Sequence, residues 1–254
     1  MSNLQHDIAG SIRVQLCGPF VVEAGGRRID QTLPGRQARV LFGYLVLARM
    51  QPVDRDTVIA ALWGDAPPPE AAAALNVLVS KIRAATGFDV LVRRGALCLV
   101  VPEPAEVDVE VAVAALHAAE SRIVRGQWQR AWTAALTARF ISRRRFLPEV
   151  DAPWADAWRR RLADVHVRAL ECYATACLEL GGAEVSGAER AAVELTETDP
   201  LRETGHLLLM RTLAARGNVA EALRAYERLR VQLSDELGVD PSRQVQDLYA
   251  ELLG

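Results

Sequence analysis

Asp54-Arg55-Asp56-Thr57-Val58-Ile59-Ala60-Ala61-Leu62-Trp63-Gly64, then Asp65-Ala66-Pro67-Pro68-Pro69-Glu70, then residues 71–86 form the stretch on which the fold turns. Asp54 suits a helix N-cap, because its short carboxylate can accept from a free N–H of the first turn. Val58, Ile59, Leu62 and Trp63 follow at helical spacing, and Gly64 stops the helix. Three consecutive prolines cannot continue it. A further helix is predicted from about residue 70 to 86, with Leu75, Leu78, Val79 and Ile82 on one face. Its opposite face carries Ala73, Val77, Ser80, Lys81 and Ala84, with Asn76 and Arg83 on the flank.

Upstream, Ile12, Val14 and Leu16 alternate with polar residues. Gly18-Pro19 makes a turn, and residues 20–23 run into Gly25-Gly26, a hairpin signal. Val40, Leu41, Tyr44, Leu45 and Leu47 then form a helical stripe after Pro34-Gly35. Downstream of residue 86, two β-type runs at 90–93 and 97–101 are joined by Arg94-Gly95-Ala96. Strands, three helices and a β-hairpin, in that order, predict a winged helix-turn-helix with small β-sheets. Leu16, Leu41, Leu45, Leu62, Leu75, Val79 and Ile82 are its expected core.

Pro102-Glu103-Pro104 reads as a linker. Everything after it is helical, broken at Gly126, Gly181-Gly182, Gly217 and Pro241. Residues 220–233 keep Ala222, Leu223, Tyr226, Leu229 and Leu233 at helical spacing. With the turn at Gly217, they look like half of a tetratricopeptide-type (TPR-like) hairpin. The predicted fold is mainly α, with a winged-helix domain over 1–102 and an all-helical domain over 103–254.

The charge distribution agrees in sign with a nucleic-acid-binding head. Of 30 basic and 32 acidic residues, 11 and 8 fall in 1–102, and 19 and 24 in 103–254. The first part is mildly basic and the second acidic. Arg143–Arg145 and Arg159–Arg161 are read as solvated helix faces. Trp128, Trp132, Trp154 and Trp158 form two i, i+4 pairs suited to helix packing. Cys17, Cys98, Cys172 and Cys177 have no metal-ligand spacing and are read as small apolar residues of a reducing cytoplasm. No signal peptide or membrane span is expected. His6, His117, His166 and His206 are scattered, and no phosphate loop or catalytic motif is visible. The chain is not expected to be an enzyme or to hold a cofactor or metal.

These residues together resemble the Streptomyces antibiotic regulatory protein family over nearly the whole chain. Residues 56–65 look like that family's second helix with its Leu-Trp-Gly ending. Ala74-Leu75-Asn76 through Val79-Ser80-Lys81-Ile82-Arg83 is similar to its recognition helix. Leu237-Gly238-Val239-Asp240-Pro241 with residues 249–253 is similar to the end of its bacterial transcriptional activation domain. The resemblance implies an OmpR-type winged helix and a helical activation domain that dimerises. It also implies activation of a nearby gene cluster, secondary-metabolite genes among the candidates, through RNA polymerase holoenzyme. The ligand-binding extensions of larger relatives are expected to be absent from a chain ending at Gly254.

A major groove is read by donors and acceptors at base edges and by cations at phosphates. Asn76 suits a bidentate pair with adenine, Ser80 a base or phosphate, and Val77 a thymine methyl, with Ala73 on the same face. Lys81 and Arg83 suit phosphate or guanine. Arg93 and Arg94 stand at the expected wing tip, while Arg36 and Arg39 open the first helix near the DNA backbone. Asp65, Pro67, Pro68, Pro69 and Glu70 match the loop that OmpR-like activators offer to polymerase. The expected partners are double-stranded DNA with tandem direct repeats, RNA polymerase and a second copy of the chain, in the cytoplasm at the nucleoid. The rival reading is a helical interaction scaffold with a degenerate head that binds no DNA.

Overall fold

Asp54 caps as its chemistry demands: its side chain accepts from the backbone N–H of Asp56 at 2.9 Å and opens α2 (Arg55–Trp63). In the computed structural model, which describes residues 11–49 and 51–254, this helix lies between α1 (Gly35–Leu47) and α3 (Ala71–Thr86). Gly64 ends α2 at φ +56°, and Gly87 ends α3 in the left-handed region. His6 lies outside the described residues.

Around these helices stand two small sheets. The first has four strands in the order β3 (Arg27–Arg28), β2 (Val21–Ala24), β1 (Ile12–Gln15), β7 (Ala105–Val107). The β1–β2 pair is antiparallel, with Val14 opposite Val22, whereas β1 and β7 are parallel. The second sheet has the order β4 (Val53–Asp54), β6 (Ala96–Val100), β5 (Asp89–Arg93) and is antiparallel throughout. All seven expected core residues, from Leu16 to Ile82, are buried. Phe42 joins them, with its ring 6.0 Å from Phe20 and 6.3 Å from Phe88.

Among the described residues this unit is compact up to residue 111 and takes in 144–162, whereas the sequence places its edge after residue 102. Strand β7 explains the first extension. Ile12 N donates to Pro104 O at 2.9 Å, so the segment read as a linker is hydrogen-bonded into the first sheet. Asp108 then accepts from Leu16 N and Cys17 N at 2.9 and 2.8 Å. Burial pushes the Asp108 carboxyl above the usual range despite those N–H donors.

Residues 144–162 explain the second. Trp154 stacks edge-on to Tyr44 at 5.1 Å and donates from Nε1 to Ala61 O at 3.1 Å. The solvated reading of both arginine clusters is corrected here. Arg144 donates to Gln15 Oε1 at 3.0 Å. Arg159 donates to the carbonyls of Phe146, Leu147 and Val150, pinning a loop in which Leu147 sits at φ +34°. Arg143, Arg145, Arg160 and Arg161 are exposed as expected.

The second unit takes in residues 112–143 and 163–254 and is all α-helical apart from a short 3-10 turn. It holds the later part of α4 (Asp108–Val124), α5 (Trp128–Ser142), the later part of α6 (Pro153–Leu180), α7 (Val185–Thr198), α8 (Glu203–Ala215), α9 (Val219–Leu237) and α10 (Arg243–Leu253). Helices α7, α8 and α9 pack in succession as TPR-like hairpins. Gly205 allows the close approach of α8 to α7, since a Cβ there would lie 3.0 Å from Leu195 Cγ. Ala222, Tyr226, Leu229 and Leu233 are buried along α9, and Tyr226 stacks on Tyr249 of α10 at 3.9 Å. Glu194 accepts from Arg139 and pairs with His166 Nε2 at 3.1 Å. Burial alone would raise the Glu194 carboxyl, but Arg139 and His166 outweigh it and hold it below the usual range.

Cys17, Cys172 and Cys177 are buried free thiols, and Cys98 is half-buried. Burial pushes the Cys172 thiol up to about 12. No helix among the described residues is long and apolar enough to cross a membrane.

Candidate DNA interface

Helix α3 has two chemically distinct faces. Leu75, Leu78, Val79 and Ile82 are buried, while Ala73, Asn76, Val77, Ser80, Lys81, Arg83 and Ala84 are exposed. Burial of the four aliphatic side chains holds the helix against the head at roughly 1.5–3 kcal/mol each. What faces solvent is the set of residues the sequence singled out. Val77 is 52% exposed, a large aliphatic group turned to solvent on an otherwise small and polar face.

The helix is fixed at both ends. Thr86 Oγ1 donates to Ile82 O at 2.8 Å and accepts from Phe88 N at 3.1 Å, closing the C-terminal turn. Arg83 donates from Nη2 to Val90 O, tying α3 to the hairpin. Part of that guanidinium is therefore structural, although the residue as a whole is exposed.

The β5–β6 hairpin pairs Arg93 with Ala96, leaving Arg94-Gly95 as a two-residue turn. Both turn residues have positive φ, +48° and +82°. Two-residue hairpins favour that geometry because its twist matches the flanking strands. Arg93 and Arg94 are exposed at the tip.

Arg55 was absent from the residues the sequence picked out, yet it joins the pieces. Its N–H donates to Gly95 O at 3.1 Å, at the wing turn. Its Nη2 donates to Asn76 Oδ1 at 2.8 Å and to Ala72 O at 3.3 Å, on α3. A signal for it exists in the sequence. A cation in the first turn of a helix opposes the macrodipole, so its presence there asks for another partner.

The other expected residues fall into two groups. Asp65, Pro67, Pro69 and Glu70 are exposed in the connection between α2 and α3, with Pro68 half-buried. That connection starts from a closed helix end: Gly64 N donates to Ala60 O at 2.8 Å and Ala66 N to Trp63 O at 3.2 Å. Arg36 is exposed and Arg39 half-buried, and both line a cavity of about 50 Å³ with Pro19, Phe20 and Leu147. Among the described residues no cluster of His, Cys, Asp and Glu is arranged to hold a metal.

Residues 107–253 match the bacterial transcriptional activator domain. The regulatory protein AfsR of Streptomyces griseus is 30% identical over 96% of this chain, which spans 25% of AfsR. The transcriptional regulatory protein EmbR of Mycobacterium tuberculosis is 27% identical over 97% of this chain and 66% of its own length. The solved structure of M. tuberculosis EmbR in complex with a low affinity phosphopeptide superposes with a TM-score of 0.82 at 25% identity. It covers 95% of this chain and 65% of EmbR. The activator-domain match, covering more than half the residues, places the chain in the Streptomyces antibiotic regulatory protein family of bacterial transcriptional regulators.

Proposed function

We propose that this chain is a sequence-specific DNA-binding activator. It lays α3 in the major groove and the Arg93-Arg94 wing tip on the adjacent backbone. The observation that supports this most is the division of α3 into one wholly buried aliphatic face and one exposed face bearing Asn76, Val77, Ser80 and Lys81. Solvent-facing amide and hydroxyl groups serve base edges, and Lys81, Arg93 and Arg94 serve phosphates. The exposed Asp65–Glu70 connection is then the surface offered to RNA polymerase.

The operator in this reading is a pair of direct repeats whose centres lie roughly 10–11 bp apart, or a multiple of that, bound by a homodimer on one side of the duplex. Few polar groups per recognition helix make single-site binding weak, and joining two heads raises the effective concentration of the second.

Footprinting of the full-length chain on the promoters beside its own gene tests the proposal. Two protected repeats in phase are expected. Inserting about half a helical turn between them should abolish most of the affinity, whereas a full turn should preserve part of it. Protection of no segment at low salt would favour the scaffold reading instead.

A further inference from the structure

Asn76 is the residue of the outward face best suited to reading a base, and Arg55 has already taken hold of it. The guanidinium carries donors only, so the amide atom facing it at 2.8 Å is the oxygen, Oδ1. The Nδ2 group, with its two hydrogens, is therefore turned away from Arg55. Arg55 is itself held at two further points, by its N–H on Gly95 O and by its guanidinium on Ala72 O, so the arrangement is braced against both wing and helix.

The orientation matters for the code. Adenine presents N7 as an acceptor and N6–H2 as a donor, so its bidentate pair with asparagine needs the amide oxygen at the base edge. Guanine presents two acceptors, N7 and O6, and needs donors alone. A guanidinium beside the amide adds positive charge, which favours two acceptors and opposes an incoming N6–H.

We infer that Arg55 is a specificity-determining residue that makes Asn76 a donor-only reader, so that the base it selects is guanine rather than adenine. This rests on the DNA-binding reading above and replaces the adenine contact expected from the sequence alone.

A randomised double-stranded DNA library selected with the full-length chain tests it, using wild type, Asn76→Ala, Arg55→Met and Arg55→Lys. One operator position should lose its base preference in Asn76→Ala, and there wild type should favour guanine over adenine about tenfold. Arg55→Met, which frees Oδ1, should shift that position alone toward adenine. Arg55→Lys, which retains a single donor, should keep guanine.

Adenine at the Asn76-dependent position in wild type would overturn the inference. So would a position-independent effect of Asn76→Ala, or an unchanged guanine preference in a folded Arg55→Met protein. Should Arg55→Met fail to fold, the comparison of wild type with Asn76→Ala still decides between guanine and adenine. Wild type enriching no sequence at any salt concentration would sink the DNA-binding reading itself, an outcome distinct from enrichment with the wrong base.

Discussion

Arg94 occupies a left-handed turn position at φ +48° while carrying the charge expected to meet a phosphate. Arg94→Gly separates the two roles. Glycine adopts positive φ without steric cost, so thermal stability should change by no more than about 1 kcal/mol. The salt dependence of DNA binding should meanwhile fall by about one unit of slope. Calorimetry and salt-titrated binding read the two effects separately, and an unchanged slope would remove Arg94 from the interface. His206 is buried and places Nε2 3.0 Å from Pro200 O. Burial holds its imidazole below the usual histidine range. Its stabilising contribution is therefore complete above the ordinary pKa near 6.5 and is lost as pH falls through the lower folded value. Unfolding midpoints from pH 7.5 to 5 should decline in wild type and decline less in His206→Gln. Equal slopes would show that His206 does not titrate as described.

At the scale of elements, α2 depends on a side chain far away in the sequence. Trp154 supplies a donor to Ala61 O in the last turn of α2, where a carbonyl lacks a helical partner. Trp154→Phe keeps an aromatic ring beside Tyr44 and should cost about 1 kcal/mol. Trp154→Ala removes the ring as well and should cost roughly 3–5 kcal/mol. Denaturant unfolding of the two variants checks the order: no cost for Trp154→Phe would mean that the N–H bond contributes nothing, and equal costs would mean that the ring contributes nothing beyond it. This dependence also marks the limit of what the sequence discloses. The cap at Asp54, the stop at Gly64 and the aliphatic stripe of α3 are local signals with fixed spacing, and each appears in the structure where the pattern puts it. The wing turn was legible for the same reason. Arg55, Arg144 and Arg159 were not, because a guanidinium reaches partners whose positions depend on the tertiary fold. Strand β7 was hidden in the same way: three residues after a Pro-Glu-Pro segment carry too short a pattern, and only the register with β1 makes them a strand.

For the whole molecule, the winged-helix unit should not be severed at residue 102 without loss. A 1–102 fragment lacks β7, the Asp108 acceptor of Leu16 and Cys17, and the Trp154 contact. Its unfolding midpoint should fall below that of the winged-helix unit in the full chain, and limited proteolysis should not cut first at 102–104. A stable fragment ending there would restore the boundary read from the sequence. The central claim is that the exposed face of α3 and the wing together bind duplex DNA. Equilibrium binding of the full-length chain to a selected duplex, titrated with salt, tests this most directly. Each phosphate neutralised adds about 0.9 to the negative slope of log K against log salt. A slope of several units that falls when both Arg93 and Arg94 are replaced by alanine is the predicted result. A flat line, or a steep slope indifferent to those two arginines and to Asn76, would contradict it.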